Sequence, residues 1–506
     1  MRLGVLAVLL ALVSAPASAA WHEARSKHFV VYADQDPAEL RQFAEKLERF
    51  DAAVREARGV PDVAEGAATR VTLFVVRDLR ELRKVYGDDE ASVGGFYIPK
   101  ASGSVAFVPE EVEKKGKFRL SSESIFFHEY THHLMLQSAD RPLPTWLTEG
   151  FAEFFANPQF NPDGSVVIGA PPRYRAGTLY SGEFIPLPKM LSGDYLYVTQ
   201  GEYASLYGRG WLLTHLLSFD LKRRGQLTSY LNDIQAGIPA MTAATKAFGD
   251  LKQLDRELNA YFKGDTFTVA TIPAHKLRLP PIAVRPLRPG EAEMMSVKVR
   301  LARGGSELKA KELAGRARGI ARKYPDEAAV HTTVALMELE AGYPAAAVAA
   351  ADRALALEPN SDQALLAKAK GLLALAKDSP KTANWDAIRL LISRANKLDP
   401  ENAEPLALFY RTYVGQNVRP TANALSGLGY AVALAPQDAN LRLEYVGQMI
   451  EEQRWADAGR ALIPLAYSPH RGKWHDAVVA VLEQVNARNP AEAKSRLQAA
   501  RKHFAG

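Results

Sequence analysis

A short pattern returns at near-constant intervals in the second half of the chain. Ala354-Leu355-Ala356-Leu357-Glu358-Pro359 recurs as Ala395-Asn396-Lys397-Leu398-Asp399-Pro400 and as Ala431-Val432-Ala433-Leu434-Ala435-Pro436. With Pro325 the prolines fall 34, 41 and 36 residues apart. Proline lacks an N–H and its ring clashes with the preceding turn, so each one stops a helix. Between them, Ala328 to Leu339, Ala345 to Leu357, Ser361 to Ala376 and Trp385 to Leu398 carry helical periodicity. The surplus behind the longest interval sits at Lys377 to Asn384, where an interhelix turn is expected. One such unit cannot bury its apolar face alone and must stack on its neighbours. This half of the chain is therefore expected to be an all-α array or, if the repeat is fortuitous, a helical bundle.

The period and the closing proline resemble tetratricopeptide repeats over roughly residues 307–468. That resemblance implies a superhelix of helix pairs whose concave groove holds a substrate or a protein partner.

The first half has a different texture. His28-Phe29-Val30-Val31-Tyr32 and Val71 to Val76 read as strands, and Gly94 to Pro99 and Val105 to Pro109 as a hairpin turning through Ser102-Gly103. Helices are predicted over Pro37 to Ala57, about Ser122 to Gln137, Thr145 to Phe155 and from about Glu202 to Phe219. Residues 158–200, rich in Gly, Pro and Tyr, suggest an irregular lobe. Five prolines in 264–290 suggest an extended connector. The expected division is 1–20, a signal peptide; 21–263, an α+β domain; 264–300, a Pro-rich linker; and 301–506, the helical repeat domain.

Arg2, the eleven-residue apolar run Leu3 to Val13 and the small residues Ala17-Ser18-Ala19 have the order of a cleavable export signal. The run falls short of the roughly 20 apolar residues that span a bilayer. No later stretch is apolar for that length, so the mature chain is expected in the periplasm or secreted, with no stable membrane span. There are no cysteines, which excludes disulfides, a cysteine nucleophile and thiolate metal ligands. Any metal must be held by His, Asp or Glu. With 63 Lys+Arg against 57 Asp+Glu, the signs are interspersed and argue against nucleic acid as a partner.

His128-Glu129-Tyr130-Thr131-His132 is H-E-x-x-H. On a helix the two histidines lie one turn apart on one face and can reach one ion. Glu129 is turned by about 100° from His128, which suits a group beside the ion: it can accept a proton from a metal-activated water and pass it to a leaving amine. The metzincin pattern requires glycine at 135 and histidine at 138; the chain has Met135 and Ser138, which rejects it. Glu149, seventeen residues after His132, lies in Trp146-Leu147-Thr148-Glu149-Gly150-Phe151-Ala152-Glu153 on the next predicted helix. A short loop and an antiparallel helix would bring it over the histidines, giving a His₂Glu set with an open position, as in catalytic zinc sites. Manganese or cobalt would also fit such donors.

H-E-x-x-H followed by W-L-x-E-G-x-A resembles the gluzincin pattern of the peptidase MA clan, shared with thermolysin-like and aminopeptidase N-like enzymes. The likeness covers roughly residues 70–263 and is nearest to bacterial peptidase-MA-like proteins that carry tetratricopeptide repeats. It implies His128, His132 and Glu149 as ligands of one Zn²⁺ and Glu129 as general base and acid. Tyr207-Gly208-Arg209-Gly210-Trp211 resembles the family's tyrosine-containing stretch, which implies Tyr207 as the group that stabilises the oxyanion; a packing role fits that tyrosine equally. Glu153 suits either a carboxylate behind a ligand histidine or a solvated helix position. His133 points away from the ion, and His215 suits the core. The G-A-M-E-N motif of aminopeptidase N-like enzymes is absent, which favours an endopeptidase.

Two functions follow from these residues. One is an exported zinc metallopeptidase, an α+β zinc-metallopeptidase-like domain followed by an all-α tetratricopeptide-repeat superhelix, acting on a peptide or protein substrate. The other is a cell-envelope binding or assembly factor in which the repeats act and the metal site is non-catalytic. The Glu beside the metal favours the first.

Overall fold

The computed structural model describes residues 21–504 except 92, 111–120, 139–142, 181, 182, 194, 196, 197, 265, 467 and 469–473. The expected export signal, residues 1–20, lies outside the described residues.

The chain opens with β1 (His22–Arg25), β2 (Phe29–Ala33), α1 (Pro37–Arg58), β3 (Val71–Val76), α2 (Leu79–Tyr86), β4 (Phe96–Ile98) and β5 (Ser104–Pro109). These strands form most of a six-stranded mixed sheet, ordered β4-β5-β3-β2-β1-β9. β2, β3 and β5 run parallel, while β4 pairs antiparallel with β5 and closes the hairpin expected from the sequence. The turn before β5 passes through Gly103 at φ 104°, a conformation other residues rarely adopt. Both faces of the sheet are covered, which is why its strands read as continuous apolar runs. Along β2, Phe29, Val31 and Ala33 enter the main core with α1, while Val30 and Tyr32 enter a second core on the opposite face.

Next come α3 (Ser122–Ser138), α4 (Thr145–Phe155), β6 (Gln159–Phe160), β7 (Val166–Ile168), α5 (Ala176–Tyr180), α6 (Leu187–Ser192) and α7 (Gln200–Phe219). The segment expected to be irregular, 158–200, thus carries two short strands, two short helices and a 3₁₀ turn at Arg173–Arg175. α8 (Gln226–Gln235), α9 (Ala240–Phe248) and α10 (Leu251–Phe262) complete the helical side of this core.

The stretch 264–300, expected as a linker, is built into the fold. β8 (Ala270–Ile272) pairs with β7 in a three-stranded sheet, and β9 (Ala283–Pro286) pairs with β1 as the outer strand of the large sheet. α11 (Pro289–Arg303) then packs Met295 and Val299 into the second core of the sheet. The prolines misled because they occupy places where none breaks structure: Pro273 lies just past a strand, Pro286 ends an edge strand and Pro289 begins a helix.

The remainder is helical: α12 (Glu307–Lys323), α13 (Ala328–Glu340), α14 (Pro344–Leu357), α15 (Asp362–Asp378), α16 (Trp385–Leu398), α17 (Ala403–Gly415), α18 (Ala422–Leu434), α19 (Ala439–Glu451), α20 (Trp455–Ala466), α21 (His475–Asn486) and α22 (Pro490–Arg501). Each repeated proline falls in the turn after a helix, and residues 379–384 form the enlarged turn between α15 and α16. The layout is thus α+β followed by all-α. The two parts touch: Ala68 packs with Ala403, Ala407 and Leu428, and the amides of Ala67 and Ala101 donate to Asp399 Oδ2 and Asp438 Oδ2 at 2.9 and 2.7 Å. Among the described residues no helix is long and apolar enough to cross a membrane.

Candidate metal centre

α3 runs through the core. Phe126, Phe127, Tyr130 and Leu134 are buried in the main cluster, which fixes the rotation of the helix and leaves His128 and His132 together on another face. α4 supplies Glu149. The three side chains are buried and converge: the His128 and His132 Nε2 atoms are 3.2 Å apart, and Glu149 Oε2 lies 3.2 and 3.6 Å from them. A tetrahedral ion with arms of about 2.0–2.1 Å needs donor atoms roughly 3.3 Å apart, so the spacing fits. Among the described residues, Glu149, which is only 1% exposed, has no aligned hydrogen-bond donor on either carboxylate oxygen apart from the two imidazoles. A buried carboxylate without such a donor needs a cation. These His₂Glu donors suit a zinc ion, and no ligand from the cysteine-free chain contradicts that choice.

The electrostatics agree. Burial alone would lower the pKa of His128, but its contact with Glu149 and the charges of Glu153 and Glu129 outweigh burial and raise it to about 9. Burial would raise the pKa of Glu149, and the two imidazoles hold it well below the usual range instead. The same carboxylates that favour a proton on His128 favour a metal cation in its place.

Glu129, half-buried, lies outside the convergent triad, and its charge acts on His128 and on Tyr207. Tyr207, from α7, brings its ring to 6.2 Å from that of His128. Burial and the charge of Glu149 push its hydroxyl well above the normal range, so it remains a donor. Glu153, one turn beyond Glu149, is fully buried with Oε1 3.4 Å from His128 Nδ1. It is a buried carboxylate behind His128 and not a solvated helix position. Tyr174 and Arg175 hold it from the 3₁₀ turn; nothing in the sequence of that lobe marks them.

His133, His215 and His28 have other partners. His133 turns away to the Tyr97 hydroxyl, 2.8 Å from its Nδ1, and burial lowers its pKa to about 3. His215 is enclosed, with Nδ1 2.8 Å from the Tyr261 hydroxyl and Nε2 2.8 Å from the Thr268 carbonyl. His28, Glu48 and Asp51 form a second buried group of metal-ligand type. There both imidazole nitrogens are engaged, by Glu48 at 2.7 Å and Asp62 at 2.9 Å. Arg55 and the Tyr130 hydroxyl donate to Asp51. In that group each of the three side chains is already tied to protein partners in an ion-pair network. Two cavities of about 370 and 400 Å³ lie near the start of α3, and neither is lined by His128, His132 or Glu149. The assignment therefore rests on the donor atoms. No family model matches the chain, and no curated protein matches its sequence.

Proposed function

We propose that the chain is an exported, zinc-dependent metallopeptidase of gluzincin type. The single observation that carries this reading is the buried convergence of His128, His132 and an otherwise undonated Glu149, with Glu129 beside it and Tyr207 facing it. Zinc, when bound there, would polarise the scissile carbonyl and lower the pKa of water to roughly 7. Glu129 accepts the proton of the attacking water and delivers it to the leaving amine. The Tyr207 hydroxyl, kept protonated, donates to the developing oxyanion. Glu153, its Oε1 3.4 Å from His128 Nδ1, favours a proton on that nitrogen and so keeps Nε2 free for the ion. The helical array, read as tetratricopeptide repeats, presents a protein substrate or partner. The edge strand β4 is a place for an extended peptide to pair.

The test is metal content and hydrolysis of an unfolded protein by the purified chain. Glu129→Gln is expected to keep about one zinc per chain and lose turnover, and Glu149→Ala to lose the metal. Full turnover in Glu129→Gln would refute the mechanism. Absence of zinc from the wild type after incubation with the ion would favour the binding-factor reading.

A further inference from the structure

The lobe between α4 and α7 adds a side chain that touches both sides of the metal centre. Arg175 stands at the end of the turn Arg173–Arg175. Its Nε and Nη2 donate to Glu153 Oε1 at 2.8 and 2.6 Å. The Tyr174 hydroxyl donates to the other oxygen, Oε2, at 2.6 Å. Glu153 is 0% exposed, so without these donors it would be a buried, uncompensated charge. Its Oε1 is the atom nearest His128 Nδ1. The same guanidinium lies 4.5 Å from the centre of the Tyr207 ring, within range for a cation–π contact.

We infer that Arg175 is a positioning residue that joins the ligand His128 and the side chain of Tyr207 into one unit. Its edge holds Glu153, which orients the His128 ring and fixes its tautomer. Its face holds the Tyr207 ring over the centre. Only a planar guanidinium can present a hydrogen-bonding edge and a stacking face at once. A lysine ammonium is a compact charge that serves Glu153 but has no planar face to stack on the ring while held there. Arginine and lysine at 175 therefore separate the two tasks. The orienting of His128 stands without the peptidase reading; the placing of Tyr207 as a catalytic group rests on it.

The experiment uses the full chain and the variants Arg175→Gln, Arg175→Lys, Tyr207→Phe and Arg175→Gln/Tyr207→Phe, each checked for folding by circular dichroism. Zinc affinity is read by competition with a chromophoric chelator, and kcat and KM are read on casein at full zinc occupancy. Arg175→Gln is expected to weaken zinc binding about tenfold or more and to lower kcat with little change in KM. Arg175→Lys should recover most of the zinc affinity and little of the kcat. Tyr207→Phe should lower kcat and leave zinc affinity alone, and adding Arg175→Gln to it should lower kcat no further. Zinc affinity within about twofold of wild type in Arg175→Gln overturns the proposal, as do fully additive kcat losses. If the wild type binds zinc but cleaves nothing, the peptidase reading fails, and the zinc affinities of Arg175→Gln and Arg175→Lys still decide whether Arg175 orients His128.

Discussion

Replacing Gly150 by alanine tests how tightly the fold sets the metal centre. Gly150 follows the candidate ligand Glu149 on α4 and lies where α4 crosses α7. A Cβ there would stand 2.4 Å from Thr214 Oγ1 and 2.5 Å from the Gly210 carbonyl oxygen, and a Cβ on Gly210 would stand 2.5 Å from the Trp146 carbonyl oxygen. The two glycines let the backbones approach with nothing between them. Ordinary contact begins at 3.4 Å, so alanine at 150 must part the helices by roughly 0.9 Å at the crossing. Overpacking of this kind costs about 1–3 kcal/mol, and here the obstacle is backbone and cannot rotate aside. Alanine recovers about 1 kcal/mol of helix propensity. The net expectation is a loss of up to about 2 kcal/mol in urea unfolding of the metal-free protein. The same displacement separates Glu149 on α4 from Tyr207 on α7, and a misplacement near 1 Å can cost on the order of 10²-fold in rate. Zinc affinity should fall at least about tenfold. Gly177→Ala, on α5, where an added Cβ meets nothing within 4 Å, is the control and should leave zinc affinity unchanged and stability unchanged or slightly raised. Wild-type stability and zinc affinity in Gly150→Ala would refute the argument that this crossing fixes the site.

Two further outcomes follow from other parts of the fold. Burial lowers the pKa of His215 to about 4, so it stays neutral in the folded chain while the unfolded chain takes up a proton below about 6.5. Stability is therefore lost as pH falls from about 6.5 to 4, by up to about 3 kcal/mol from this group. In His215→Gln that slope should flatten in urea melts across the window; an unchanged slope would show that other groups set it. Asp438 caps the Leu441 amide through Oδ1 at 2.9 Å and takes the Ala101 amide of the sheet domain through Oδ2. Asp438→Ala should cost about 2–3 kcal/mol, a cap together with an orphaned donor. Asp438→Ser should keep the cap and cost about half. Equal costs for the two, read by urea unfolding, would mean that the bond to Ala101 contributes nothing.

What could be read in the sequence was what one element holds by itself. H-E-x-x-H places two donors on one helix face by geometry alone, and α3 and α4 are long enough for period and flanking residues to define them. The helices from α13 to α16 were legible for the same reason, since each repeats a period closed by a proline. Arg175 and Tyr174 were not legible: they reach Glu153 from a turn with no period, and tertiary packing alone decides that they meet it. The network of His28, Glu48, Asp51, Arg55 and Tyr130 joins the bend between β1 and β2 to α1 and α3 across distances in sequence that leave no spacing rule. The Pro-rich stretch misread as a linker shows the limit of composition, since proline is as much at home on a sheet edge or at a helix start as in a free connector. The docking of the array on the sheet uses the amides of Ala67 and Ala101, and backbone donors leave no mark on residue identity.

The position of the array bears on how the two halves relate. A module attached by a free connector would leave the metal helix indifferent to it. Here α11 belongs to two cores at once, with Met295 and Val299 under the sheet and Met294 and Val297 against the first repeats. Lys100 and Ala101, in the turn of the β4–β5 hairpin, bond to the Ala302 carbonyl and to Asp438. The same hairpin carries Tyr97, whose hydroxyl meets His133 beside the candidate ligand His132. On its other side the metal helix is held by Tyr130, which donates to Asp51 and so to the His28 network. A packed contact therefore runs from the repeats through the hairpin to α3. Anything that loosens the array from the sheet frees the hairpin, and with it the edge strand on which an extended peptide would pair. The helical array in this chain thus braces the wall of the candidate centre.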